Sequence, residues 1–571
     1  MTVLSDTLER TRQTTAEIRQ RRKAIKRGKP KVFLYKNNPD GSPGAVFRGR
    51  INIGELTKYQ FPEVKNVSSA GVTVMRASHY LAKWIMTVPN NPDECKNILI
   101  RVDMYGGRWR WTGLLHHWEA ETVDGVDILT CTWNHDMQFV QFMLCPPNPL
   151  LPIPIFQFPR DWFEFGPSCF SIALMIFINI VRLEGHPFTL PDNPGDPSQY
   201  LDIINCGDWQ VHVKVPNFFE DSSLWTFLAS RMNSIDSVIA DALDDGQLRL
   251  SCRRIFTDEG ETVTGLIDNN VANGALVFEV EDRSGFSKDS GTFFGGNAVT
   301  GLTRSVIQWG AGFVEDSLAF VDDNESLYAD EYYQSGFLGT IAGSPPYVLR
   351  DSIAQPLGGK LTHSPATAVG VTVGGDNPTA DAIANLIISA TGNLIGYFLL
   401  GGFDSLGDIA SDIIMPFLVG TIFAWDEWKN TTRAQNLGWI HLHEVYVSGA
   451  EHNAWSWSAL AVWRGGFKAT DAETSNTAVI TADTWFIPGL HGETGDRLGN
   501  TNRAYRRQTG DPIIFVNQIE EMTLVGEANG SFSFPMKIGQ NKAAMSTGER
   551  NARMFKNMMD KIADIGVHIV Q

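Results

Sequence analysis

Cysteine is scarce and badly spaced for any framework. The 571-residue chain has six, Cys95, Cys131, Cys145, Cys169, Cys206 and Cys252, all in its first half and none in a CxxC pair. That spacing excludes a zinc ribbon and a CxxC redox motif, and buried free thiols are the expectation. Catalytic signatures are lacking too. Gly291 to Gly301 is glycine-rich, yet no Lys-Ser/Thr follows in P-loop spacing, no strand–GxGxxG–helix unit occurs, and no GxSxG elbow is found. Basic residues near the N-terminus have no apolar stretch behind them, so no secretory signal is expected and folding in a reducing cytoplasm fits. Short-period repeats are missing as well.

Positive charge is also short overall. The net charge is −17, but residues 1–31 hold ten Lys/Arg against three Asp/Glu, which leaves −24 for the remainder. A basic arm on an acidic body points to an acidic neighbour: another copy, another protein or nucleic acid. Nucleic acid is the least favoured of the three, because a free nucleic-acid binder is more often basic throughout.

Clusters with ligand chemistry are few. His441 and His443 share a face of a strand, but Glu444 points the other way and no HExxH or Cys ligand supports an ion. His116 and His117 are adjacent, so they need a bulge to meet one ion. The acidic stretch Glu315 to Glu331 contains Asp322-Asp323-Asn324-Glu325 without the glycine of an EF-hand loop, and reads as a solvated loop. No catalytic, cofactor or metal residue is therefore assigned, and no cofactor is expected.

What is present is β-structure at both ends of the chain. Ile98 to Met104 alternates, Gly106-Gly107 turns the chain, Trp109 and Trp111 alternate with Arg108 and Arg110, and Asp124-Gly125 turns it again before Ile128 to Trp133. This pattern predicts an antiparallel meander. The Pro-rich stretch Pro146 to Pro159 then forms an extended strap. Helices are predicted over Ser5–Gly28, Cys169–Leu183 and Ser223–Leu243, the last ended by Gly246. Strands follow at Leu248–Phe256 and Ala275–Glu281. A rear β-block spans Ile440–Val447, Ala454–Trp463, Thr477–Phe486 and Ile513–Val525, with a turn region over Gly492–Gly499. Ser546 and Glu549 form a capping box for a final helix with Met554, Phe555, Met558, Met559, Ile562 and Ile565 as its stripe.

Residues Ala382 to Phe403 are a charge-free run of 22. Its length allows a bilayer span, but Asn385, Ser389, Thr391, Asn393 and four glycines favour buried helices or a hairpin at a subunit contact. A later meeting with a membrane is the other reading, and Leu386, Ile387, Ile388, Ile395, Tyr397, Phe398, Leu399 and Leu400 are its contact candidates. Trp109, Trp111, Trp455, Trp457 and Trp463 are candidates for core or interface anchors. Met554 and Met558 are further docking candidates, because Met adapts to irregular surfaces.

The expected fold class is mainly β with an α+β insertion: two β-barrel-like domains bracketing a mixed segment, with terminal helices. The expected divisions are a basic arm over 1–30, a first β domain over 31–167, an insertion over 168–429 with an apolar segment at 382–424, a second β domain over 430–540, and a C-terminal helix over 541–571.

Several stretches, taken in order, carry a family resemblance. They are IRVDMYGGRWRWTGLLHHWEAETVDGVDILTCTW with the strap PPNPLLPIPIFQFPR, then LRLSCRRIFTDEGETVTGLIDNN and NGALVFEVEDRSGF, then FAWDEWKNTTRAQNLGWIHLHEVYVSGAEHNAWSWSALAVWRGGFKAT leading to WFIPGLHGETGDRLG. Their order resembles the tail-tip hub, or minor tail, proteins of siphophages that infect actinobacteria, and through them the trimeric baseplate-hub fold of long-tailed phages. The resemblance implies a homotrimer in a pseudo-sixfold ring, at the tail tip of the virion, assembled in the host cytoplasm. It implies contacts with the distal tail protein, the tape measure and tail-tip fibres, and a late contact with the host envelope. It implies no enzyme and no nucleic-acid specificity. The aromatics and carboxylates also motivate a carbohydrate-binding or carbohydrate-cleaving tail protein, and the uncharged run a membrane-inserted one.

Overall fold

In the computed structural model the described residues are 11–17, 20, 25, 28–38, 41–153, 157–158, 162–192, 194–195, 200, 206–284, 297–302, 319–322, 347–351, 357–374, 425–446, 466–467, 470–481, 484–510, 513–527 and 531–539. Seven strands come from the front of the chain: β1 (Lys31–Asn37), β2 (Ala45–Ile51), β3 (Leu56–Val64), β4 (Ala70–Arg76), β5 (Ile98–Met104), β6 (Trp109–Val123) and β7 (Val126–His135). A short helix, α1 (Tyr80–Thr87), buries Leu81, Ala82, Trp84 and Ile85 against them. The meander β5–β6–β7 forms as its turns predict. Asp124 and Gly125 adopt φ of 51° and 77°, which suits the two-residue hairpin turn that matches strand twist.

The middle of the chain supplies β8 (Leu144–Cys145), β9 (Trp162–Pro167), α2 (Ser168–Glu184), β10 (Val211–Lys214), β11 (Trp225–Ser230), β12 (Asn233–Ser234), α3 (Ile235–Asp245), β13 (Leu248–Ile255) and β14 (Ala275–Asp282). The three-stranded sheet β10-β14-β13 and the pair β9–β11 enclose α2 and α3 in a second core that includes Ile172, Ile176, Ile239, Leu250 and Phe278. The expected helix over Ser223–Leu243 is corrected here. Trp225 to Ser230 pairs antiparallel with Pro167 to Trp162, and only Ile235 onward is helical. Phe227 and Leu228 fit a helical period, but an unpaired β9 beside them makes the strand the better use of their backbone groups. The helix stops at Gly246 as expected, although the left-handed residue is Gln247, with φ 53°.

The rear contributes β15 (Ala319–Asp322), β16 (Val348–Leu349), β17 (Leu361–Ser364), β18 (Ala368–Gly374), β19 (Trp425–Lys429), α4 (Thr431–Leu437), β20 (Leu442–Tyr446), β21 (Glu473–Thr481), β22 (Arg497–Asn500), α5 (Arg503–Thr509), β23 (Ile513–Glu527) and β24 (Phe532–Ile538). β22 occupies the end of the region expected to be only a turn. β18, β19 and β20 form a small separate sheet.

Front and rear meet in one sheet. Its path is β17-β21-β24-β23-β3-β4-β7-β6-β5-β1-β2, with β15, β16 and β22 attached beside β23. The join is the antiparallel pairing of β23 with β3, from Glu521 opposite Val64 to Glu527 opposite Lys58. The mainly β class with an α+β middle holds. The two barrel-like bodies do not: among the described residues the path stays open, and one core runs through Tyr59, Phe61, Trp111 and Trp133 from the front and Ile480, Phe486, Met522 and Phe534 from the rear. Apolar faces that abut along a paired edge are buried more completely in one core than in two. Pro62 is tolerated inside β3 because pairing with β4 ends at Gln60, so that its missing N–H costs no bond there.

The helical residues 11–17 lie within the predicted N-terminal helix and are exposed. Most of that arm, the uncharged run 382–403, Ala454–Trp463 and the C-terminal segment from Gln540 lie outside the described residues.

A shared core predicts shared unfolding. Phe61, fully buried with its ring 5.1 Å from that of Trp111, is replaced by Ala at a cost of about 3–5 kcal/mol. In urea, hydrogen exchange of β4 and β24 peptides should lose protection together, and in Phe61→Ala both should do so at one lower midpoint. Separate midpoints for the two would show separate cores.

Candidate interaction surfaces

The middle layer is held against the sheet by a seam of buried charge. β13 lies along it with Leu248 and Leu250 in the middle core and Arg249 turned toward the sheet. The Arg249 guanidinium meets Glu63 of β3 at 3.2 Å, Glu281 of β14 at 3.4 Å, and Glu493 before β22. Glu63 also accepts from Trp109 Nε1 and Thr494 Oγ1, each at 2.7 Å. Burial pushes the Glu63 carboxyl up, and Arg249, Thr494 and Trp109 offset part of that. Asn66, at the turn after β3, donates to Leu248 O at 2.9 Å and accepts from Leu250 N at 2.7 Å. One side-chain amide thus stands in for a strand partner on the edge of β13.

Three further arginines extend the seam. Arg254 donates to both oxygens of Asp136 at 2.7 and 2.8 Å, and Asp136, fully buried, accepts from Thr112 Oγ1 at 2.5 Å. Arg110 bridges Asp103 at 2.7 Å and Glu261 at 2.8 Å. Arg101 grips Glu259 with two bonds of 2.7 and 2.8 Å and sits 4.3 Å from the ring centres of both Phe33 and Phe256. The planar guanidinium suits both contacts, one in its plane and one on its faces. Toward the rear, Lys65 reaches Gln518 at 2.9 Å and Glu520 at 3.0 Å.

Trp109 and Trp111 lie in the core of the single chain. Trp111 is fully buried and donates from Nε1 to Pro62 O at 2.7 Å. Trp109 is 2 % exposed and meets the Phe534 ring edge-on. Neither offers surface to a neighbour. Trp455, Trp457, Trp463, Met554 and Met558 lie outside the described residues, as do Leu386, Ile387, Ile388, Ile395, Tyr397, Phe398, Leu399 and Leu400. The described apolar surface lies elsewhere. Trp439 and Ile440 are 93 % and 86 % exposed beside Leu442, Trp428 and Tyr446 on the β18–β20 sheet. Val123 and Val126 are exposed at the tip of the β6–β7 hairpin. Reasoning from sequence missed both these patches and the seam. Part of the signal was there: Arg249 and Arg254 interrupt LRLSCRRI, and a strand does not bury arginines without carboxylates to meet them.

His441 and His443 sit together with ring centres 5.5 Å apart, and His441 Nδ1 lies 2.7 Å from Gly438 O. His116 and His117 sit at a register shift of β6 against β7, the bulge that adjacent histidines would need. Among the described residues no three His, Cys, Asp or Glu converge on a metal position, and no helix is long and apolar enough to cross a membrane.

Two outcomes follow from the buried charge. Asp136→Ala leaves Arg254 buried without its partner and should cost about 3–5 kcal/mol in urea titrations. In the middle layer, burial pushes the Glu164 carboxyl up from 4.5 to about 7. The folded chain therefore keeps a proton there that the unfolded chain releases, so this contribution is fully present below pH 4.5 and is lost as pH rises to about 7. Glu164→Gln should melt like the parent at pH 4.5 and be about 2–3 kcal/mol more stable at pH 8.

Comparison with known proteins gives a consistent result. The model of the Siphovirus ReqiPepy6 Gp37-like protein family matches residues 46–540. The minor tail protein Gp28 of Mycobacterium phage L5 is 27% identical over 546 residues, 86% of this chain and 88% of that protein. Its counterpart in Mycobacterium phage D29 is 27% identical over 547 residues, with the same coverage. Among solved structures, a tail protein from Neisseria meningitidis MC58 has a TM-score of 0.39 at 9% identity, over 90% of this chain and 97% of that one. The 43 kDa tail protein of prophage MuSo2 from Shewanella oneidensis has the same score and identity, over 90% and 99%. With its family model covering most of its length, the chain belongs to the Siphovirus ReqiPepy6 Gp37-like protein family.

Proposed function

We propose that this chain is a structural minor tail protein of a siphophage and acts as the hub of the tail tip. Three copies form a ring in which the front and rear halves of the sheet alternate, giving a pseudo-sixfold collar. The collar joins the distal tail ring and tape measure above to fibres and host-recognition proteins below, and closes the channel until infection. The product of such a protein is shape, and the reading requires no catalysis.

One observation supports it above the others. β-structure from opposite ends of the chain is fused through the β3–β23 ladder into one sheet, so a single chain presents two halves side by side in fixed relation. The kinship with mycobacteriophage minor tail proteins over nearly the whole length supports the same assignment. The chain divisions at 31–167, 168–429 and 430–540 belong to this proposal, with the qualification that β15, β16 and β17, within the second span, pair into the sheet.

Purified full-length chain should sediment at three times its 63.2 kDa mass, and averaged micrographs of the tail tip should show a threefold ring. A monomer at micromolar concentration, or six copies per tip, would sink the proposal.

A further inference from the structure

The β6–β7 hairpin outruns its sheet. Pairing of β6 with β5 ends at Leu114, and pairing of β7 with β4 ends at Ile128. Beyond those points the two strands pair with each other out to Val123 opposite Val126, with one further backbone bond from Ala77 N to Asp127 O at 2.9 Å. All nine residues 119–127 are exposed. A two-stranded ribbon alone in water is marginal, and its outer edges leave backbone groups unpaired.

Its composition is one-sided. Glu119, Glu121, Asp124 and Asp127 are its charges, and the sequence has no Lys or Arg between Arg110 and Arg160. Register sorts the faces. His117, Glu119, Glu121 and Val123 stand opposite Thr132, Thr130, Ile128 and Val126 on one face. That face is an apolar strip of Val123, Val126 and Ile128 edged by two carboxylates. It calls for a segment with apolar residues set among cations.

The chain carries such a segment. Residues 1–31 have a net charge of +7, with Leu4, Leu8, Ile18 and Ile25 spaced among the arginines and lysines. The chain's own arm enters the sheet at the base of β6, at the opposite end from the ribbon tip. Ile25 is packed on the main core, and Lys31 enters the sheet opposite Asp103, which itself faces Arg110. From Arg110 the strand runs 13 residues to Val123, about 43 Å. Arg19 to Arg27 lie within six residues of Ile25, about 20 Å even when fully extended.

We propose that the β6–β7 ribbon receives the basic N-terminal segment of a second copy of this chain. The apolar strip takes the aliphatic residues Leu4, Leu8 and Ile18 of the arm, and Glu119 and Glu121 take its cations. This rests on self-association of the chain, and not on the threefold order proposed above.

The test is charge reversal in the full-length chain, with self-association followed by sedimentation at low salt. Glu119→Lys with Glu121→Lys should raise the concentration for half-association about tenfold, the loss of roughly 1.4 kcal/mol of interaction. Raising the salt should shrink the difference. Arg22→Glu with Lys23→Glu should do the same from the other side, and combining all four should restore association to within about threefold of the parent. Ribbon residues are exposed, so melting temperature serves as the folding control, and the arm variant tests the contact independently. Parent-like association of either double variant overturns the proposal, as does a combined variant no better than its parts. A trimer indifferent to these changes leaves the ring and removes the clasp. Charge-sensitive assembly into another oligomer keeps the clasp and removes the ring.

Discussion

The pairing of β3 with β23 is the constraint on which the rest depends. It brings together residues more than 450 positions apart and turns two sheets into one. Without it, each half would expose a strand edge and one side of its apolar face. Closing so long a loop is less costly than it sounds, because loop entropy grows only logarithmically, by about 0.6 kcal/mol per doubling. The same arithmetic explains why the middle of the chain can be large. Once the ladder is closed, length added between the halves costs the fold little.

The second constraint is electrostatic. The middle layer has its own core, so apolar burial alone would leave its orientation on the sheet loosely defined. Arg101, Arg110, Arg249 and Arg254 each need a particular carboxylate from the opposite layer. Buried pairs add little net stability compared with apolar contact, but a mismatched one is costly. A seam of this kind fixes register by penalising alternatives. Rigidity of that sort suits a structural protein of a phage tail, the class to which its mycobacteriophage relatives belong.

The charge of the chain is sorted accordingly. Arg101, Arg110, Arg249 and Arg254 are consumed internally, while the β6–β7 ribbon keeps negative charge at the surface and the sequence of the N-terminal arm is rich in positive charge. The exposed patch around Trp439, Ile440 and Leu442 is a second surface, apolar rather than charged. Surfaces of different salt sensitivity are thereby kept apart.

Local signals were readable from the amino acids alone. Gly106-Gly107 and Asp124-Gly125 announced the β5–β6–β7 meander, because a tight hairpin turn demands residues that accept positive φ. The apolar run at 169–183 announced α2, and alternation announced β13 and β14. The order of front, middle and rear stretches pointed to the family. The core residues of β3 were hidden by Pro62, whose legitimacy depends on where a neighbouring strand stops. Trp225 to Ser230 looked helical until β9 offered it a partner. Whether Trp109 and Trp111 face a neighbour or the core was undecidable from spacing, since alternation gives two faces and not their destinations. Arg254 and Asp136 are 118 residues apart, and no periodicity connects them. Sequence settled what each segment can be, because turns, caps and strand period act within a few residues. Only the tertiary fold settled which segments share a core and which charges meet, because those choices are made by burial across the whole chain.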